Sequence, residues 1–238
     1  MVFSSSIFLF LFLPLALALG LFAPRKLRNG LLLAANLLFY AWGELFYASV
    51  MLASIVLTYG FGLAVEAHRH RPGRARLWTG LGIAANLGLL LVFKYANFFV
   101  GNLNELRTHL GLHPLAWTPI HLPIGVSFFT FQAISYVIDV YRGDVAAQRN
   151  IFLLALYKSF FPQLIAGPIV RYRDIAAELA KRSPTFDDFA AGTARFIVGL
   201  GKKMLIANVV AAPADLIFDP ARLPADAVTA PLAWLAIV

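Results

Sequence analysis

Gln132, Ser135, Tyr136 and Asp139 recur at i, i+3, i+4 and i+7 in the apolar stretch from Pro123 to Tyr141. On an α-helix this spacing puts all four side chains on one face. Polar groups inside a membrane helix are costly and face protein or a water-filled cavity. The stripe therefore either lines a substrate tunnel or hydrogen-bonds neighbouring helices and holds a bundle together. Asp139 lies near the helix end, three residues before Arg142, and pairing with that arginine is its simpler role.

A second group lies in the run from Phe161 to Tyr172, which contains Pro162, Gln163, Gly167, Pro168 and Arg171. Proline removes a backbone donor and bends a helix. The carbonyls freed at each bend need partners, which Gln163 and Arg171 could supply, or the two could bind an anionic ligand. Arg195, Lys202 and Lys203 form a third group. They suit phosphates of a donor or a lipid, and they equally suit snorkelling to the headgroup layer. Lys94 reads as a snorkelling residue too. The five histidines make no zinc spacing and no Ser-His-Asp pattern, so no metal site is expected.

These groups sit in a chain of 238 residues that is 60% apolar and 13% charged, with a mean hydropathy of +0.75. Disorder and a disulfide scaffold are excluded, the latter by the absence of Cys. A bilayer span takes about 20 apolar residues, so the chain has room for about seven. The formal charge of +8 arises from short basic clusters between apolar runs. That is the pattern of cytoplasmic loops facing anionic headgroups, and nucleic acid is not expected as a partner.

The expected architecture is an all-α polytopic membrane bundle. The run 2–22 reads as a first span with its amino end outside, in preference to a cleaved signal. Two spans, 31–42 and 45–65, are expected to be separated at Gly43-Glu44. A span over 77–100, an outer loop over 101–122 and a span over 123–141 follow. The run 150–170 is flanked by basic residues on both sides, which predicts a re-entrant or strongly kinked segment. Gly80, Ala84 and Gly88 form a small-residue seam for close helix approach. Thr185 and Asp188 make a capping box that starts a helix lying in the headgroup layer. Pro213, Pro220 and Pro224 read as a loop. Pro231 to Val238 opens another apolar run, so residues 1–238 read as the amino-terminal portion of one membrane domain, ending inside a span.

The blocks Ser127-Phe128-Phe129-Thr130-Phe131-Gln132-Ala133-Ile134-Ser135-Tyr136 and Asp139-Val140-Tyr141-Arg142-Gly143 resemble the membrane-bound O-acyltransferase family. The run from Phe160 to Tyr172, the Gly199-Leu200-Gly201-Lys202-Lys203 block with Asn208, and the segments Val2-Phe3-Ser4-Ser5 and Phe39-Tyr40-Ala41-Trp42-Gly43 resemble its bacterial alginate O-acetyltransferase branch. The resemblance implies a helical bundle around a central tunnel, with re-entrant and interfacial helices. It implies transfer of an acetyl group across the inner membrane from acetyl-CoA or another acyl thioester, with no bound cofactor. The implied partners are periplasmic acetyltransferase proteins, a polysaccharide acceptor such as alginate, and membrane lipids. The family's essential histidine belongs to a Trp-His block in its carboxyl-terminal half, and no histidine here has that context. Gln132, Ser135, Tyr136, Asp139, Pro162, Gln163, Gly167, Pro168 and Arg171 are then tunnel or substrate-binding candidates. Arg195, Lys202 and Lys203 are donor or lipid phosphate candidates. Transfer of D-alanine to teichoic acid by the same fold, and a transporter with broken midplane helices, are the alternatives.

Overall fold

The computed structural model describes residues 3–164, 167–168, 170–180, 182, 184–219, 222–224 and 227–237. Every regular element among them is helical: α1 Leu13–Phe22, α2 Arg25–Ala67, α3 Pro72–His109, α4 Val126–Arg142, α5 Ile151–Ser159, α6 Phe161–Leu164, α7 Tyr172–Ala180, α8 Phe186–Gly201, α9 Asn208–Phe218 and α10 Ala230–Ile237. Phe8–Phe12 and Lys202–Ala207 are π-helical turns. Three stretches are long and apolar enough to cross a membrane: Leu45–Ala67, Pro72–His109 and Phe186–Phe218. The chain is an all-α polytopic membrane protein. It forms two compact units, one of residues 10–182 and one of residues 183–238 with residues 2–9.

In the first unit α2 is the element against which α3, α4 and α5 all pack. It runs for 43 residues, about 64 Å at 1.5 Å per residue. The separation expected at Gly43-Glu44 is absent, because one interior glycine costs a helix only about 1 kcal/mol and glutamate is a good helix former. The two basic clusters at its ends are therefore not joined by a pair of antiparallel spans. The seam also differs from expectation. Gly80 and Gly88 meet nothing, whereas a Cβ on Gly82 would lie 3.1 Å from Phe61 and 3.3 Å from Val137, and one on Gly62 would lie 2.7 Å from the Tyr136 ring. Close approach thus runs through Gly62 and Gly82, which bring α2 and α3 against α4.

α3 continues to His109, so the first nine residues of the expected outer loop are helix. The extended remainder is fastened back onto it by two asparagines. Asn97 donates to the Ile120 carbonyl (2.7 Å) and accepts from the Ile120 amide and Trp117 Nε1, while Asn104 brackets Leu115 in the same way.

The run 150–170 is broken, as its prolines suggested, but at a different residue. α5 ends at Phe160, whose backbone is extended (φ −61°, ψ 108°), and Pro162 lies in the first turn of α6. A proline there loses no helical hydrogen bond. Asn36 on α2 accepts from the Phe161 amide (3.2 Å) and satisfies that new helix start. Ile165, Ala166 and Ile169 lie outside the described residues.

In the second unit Thr185 caps α8: its hydroxyl accepts from the Asp188 amide (3.1 Å) and the Asp188 carboxylate accepts from the Thr185 amide (3.0 Å). Thr185→Ala should speed hydrogen exchange at the Asp188 amide about fivefold, equivalent to the ~1 kcal/mol of a lost cap; an unchanged rate would mean that the box contributes nothing. Pro213 lies inside α9 rather than in a loop; Pro220 is outside the described residues.

Candidate functional site

The polar stripe on α4 divides into an inner pair and an outer pair. Gln132 Nε2 donates to Gln163 Oε1 (2.9 Å), and both side chains are buried. This bond joins α4 to α6 just past the break. Gln132 Oε1 is buried without a hydrogen-bond partner. Tyr136 is wholly buried, and its hydroxyl accepts from the Gln148 amide (2.8 Å). Ser135 and Asp139 instead line a cleft of about 280 Å³ together with Phe131, Ile134, Ile138, Arg142 and Arg171.

That cleft holds two arginines, a serine hydroxyl and a buried carboxylate between apolar walls. The pairing of Asp139 with Arg142 expected from their spacing is not formed: Asp139 is 2% exposed, its Oδ2 has no hydrogen-bond partner, and the ion pairs among the described residues do not include it. Arg142, at the last turn of α4, and Arg171 are both exposed. None of the five histidines lines the cleft.

Arg171 is held from both sides. Before it, the Val170 carbonyl accepts from the Tyr157 hydroxyl (2.8 Å). After it, the Tyr172 hydroxyl accepts from Gln148 Nε2 (2.7 Å), and the Tyr172 ring meets those of Tyr136 and Tyr157 edge-on at 5.1 and 5.2 Å. The Val170 carbonyl is thus met by a tyrosine. Gly167 is packed so tightly that a Cβ would lie 2.7 Å from the Gln163 Cα and inside contact distance of the Pro162 carbonyl. Pro162 and Pro168 are exposed and shape the backbone without facing the cleft.

Arg195, Lys202 and Lys203 are all exposed, on a helix with no buried residue. They belong to the second unit and line no part of the cleft. Lys94 is exposed, with Nζ 5.5 Å from the Tyr95 ring. His68 Nδ1 lies 2.8 Å from the Ala64 carbonyl, and the His121 ring packs at 5.7 Å from Tyr47.

Two residues escaped the sequence reading. The spacing of Arg142 suggests no role beyond pairing with Asp139, yet it lines the cleft. Lys158 carries the larger lesson. It is the one charged residue between Asn150 and Val170, and an ionisable group inside such a run is a functional candidate by default. It is 1% exposed.

The Gln132–Gln163 bond makes a direct prediction. Gln132→Leu and Gln163→Leu should each destabilise by roughly 1–3 kcal/mol, since each leaves a buried amide unpaired. The double variant should recover much of that loss. Additive destabilisation in a thermal-shift cycle would show that the two amides do not support one another.

Over 218 residues, 92% of its length, the chain is 45% identical to the probable alginate O-acetylase AlgI of Azotobacter vinelandii and to that of Pseudomonas aeruginosa. Over these residues the chain is similar to bacterial O-acetylases. A peptidoglycan O-acetyltransferase of Helicobacter pylori is 34% identical over 80% of the chain. The chain spans 44%, 42% and 40% of the lengths of these three acetyltransferases. No family model matches it, and no solved structure matches it. The Ser127–Gly143 and Phe160–Tyr172 blocks that suggested the O-acyltransferase family are the ones that build the cleft and the Gln132–Gln163 bond.

Proposed function

We propose that these residues form the donor-side portion of an enzyme that moves an acetyl group across the bacterial inner membrane for O-acetylation of an exopolysaccharide. The observation that carries this is the Ser135–Asp139–Arg142–Arg171 cleft, set beside the broken helix in a chain so similar to probable alginate O-acetylases. Two arginines at the mouth of an apolar-walled cleft suit an anionic donor with an acyl tail, and acetyl-CoA or another acyl thioester has that chemistry. Arg142 and Arg171 bind its phosphates. Gln132 lies outside the cleft and acts on it through its bond to Gln163, which sets where α6 and the segment leading to Arg171 run. Arg195, Lys202 and Lys203 meet lipid headgroups.

The reaction needs a base that takes a proton from an acceptor hydroxyl while the oxygen attacks the thioester carbonyl carbon. The tetrahedral oxyanion collapses, the carbon–sulfur bond breaks, and the thiolate leaves and takes up a proton. We assign the base to a histidine of the longer protein, since no histidine of this chain lines the cleft. Periplasmic acetyltransferase proteins receive the acetyl group and pass it to a polysaccharide such as alginate. The relatives' names share acetyl transfer to oxygen and carry no mention of D-alanine or transport, which is why the acetyltransferase reading is preferred.

The test uses full-length protein in inner-membrane vesicles supplied with radiolabelled acetyl-CoA. Gln132→Ala and Arg171→Ala should each reduce acetyl transfer at unchanged protein level. If both leave transfer at the wild-type rate, the assignment of this cleft and tunnel wall is wrong.

A further inference from the structure

Lys158 lies on α5, buried against α2 and α4. Its Nζ is 2.7 Å from Ser54 Oγ, 3.0 Å from the Ser54 carbonyl and 3.0 Å from Thr58 Oγ1, all on α2. The Phe129 ring of α4 lies 5.8 Å away on a further side. The two hydroxyl protons are already committed. Ser54 Oγ donates to Asn86 Oδ1 on α3 (3.2 Å), and Thr58 Oγ1 donates to the Ser54 carbonyl (2.6 Å). Asn86 Nδ2 is in turn spent on the Gly82 carbonyl (2.9 Å), which fixes its oxygen toward Ser54. Both hydroxyls therefore turn lone pairs to Nζ, and so does the carbonyl. Three acceptors match three N–H groups; an amine with two would leave one oxygen facing its lone pair.

We propose that Lys158 is a positioning residue: its ammonium, seated in the Ser54–Thr58 oxygen cradle, locks the end of α5 to α2 and so sets the break that delivers Gln163 to Gln132. Phe160 follows one residue after Ser159 and leaves the helix, so whatever fixes Lys158 fixes where the break occurs. No carboxylate pairs with Lys158 among the described residues. The cradle is neutral, and what it selects is a compact donor of three hydrogen bonds, which a planar guanidinium is not.

The functional consequence rests on the O-acetyltransferase reading, so the test carries a readout that does not. The chain has no Cys, and Ser159, wholly buried beside Lys158, accepts an isosteric reporter. In the full-length protein, Ser159→Cys should react slowly with a membrane-permeable maleimide. Adding Lys158→Met, which keeps the volume, should raise the labelling rate at least tenfold. In Lys158→Ala the missing atoms are those of propylamine. Propylammonium should slow labelling again and restore acetyl transfer, methylammonium should do so less, and tetramethylammonium, with no N–H, should do neither. Thr58→Val, which deletes one cradle oxygen, should accelerate labelling by a smaller factor than Lys158→Met. The proposal is overturned if Lys158→Met labels at the parent rate, if propylammonium has no effect on labelling, or if tetramethylammonium works as well. Absence of acetyl transfer in the wild-type protein would instead count against the enzymatic reading and leave the labelling series to decide the role of Lys158.

Discussion

Gly125→Val should sharply reduce the folded protein recovered from the membrane. Gly125 precedes α4 with φ +75°, a conformation that costs a side-chain-bearing residue roughly 1–2 kcal/mol. A Cβ there would also lie 2.5 Å from the Leu164 carbonyl oxygen at the end of α6. That neighbour is backbone and cannot swing away, so the overpacking adds ~1–3 kcal/mol. Together these rival a large part of the 5–15 kcal/mol by which a typical protein is stable. Gly125→Ala should be milder but share the direction. Detergent-solubilised protein assayed by size-exclusion chromatography at matched expression checks this; a monodisperse Gly125→Val protein would mean that α4 and α6 part readily.

The second large effect is on the donor. Arg171→Ala should raise the KM for the acyl thioester by roughly 10- to 100-fold, the equivalent of ~1.5–3 kcal/mol for a charge-assisted hydrogen bond, with a smaller change in kcat. Arg142→Ala should act in the same direction. Arg171→Lys should fall between, because an ammonium keeps the charge and loses the fork that grips a phosphate. The wild-type KM should climb with added salt, as expected for two exposed cations acting on an anion. A change confined to kcat would instead place Arg171 at the reacting atoms.

Local pattern carried much of this. The spacing of the α4 stripe, the Thr185 box and the broken run after Asn150 are properties of neighbours in sequence, and each is present. Long-range choices were less visible. Whether Gly43 interrupts a helix depends on what packs against it, and α2 stays whole. Pro162 reads as a break from its own chemistry, yet it starts a helix because Phe160 turns first. The inward face of α4 was legible as one stripe, but its division between Gln163 and the cleft depends on where α6 and Arg171 arrive. Lys158 is not legible in sequence because its cradle lies about 100 residues earlier in the chain, in a serine and a threonine that read as ordinary helix positions.

The helix on which the others lean is also synthesised long before them. At ~5–20 residues per second, roughly 4–17 s separate the emergence of Ala67 from that of Ile151. During that interval α2 waits without its lysine, while Asn86 on the earlier α3 is already there to accept from the Ser54 hydroxyl. Thr58 can wait, because its hydroxyl already bonds back to the Ser54 carbonyl within the same helix. The lysine arrives last and has no such refuge on α5. Synthesis therefore lays down the oxygen cradle many seconds before the lysine that it seats.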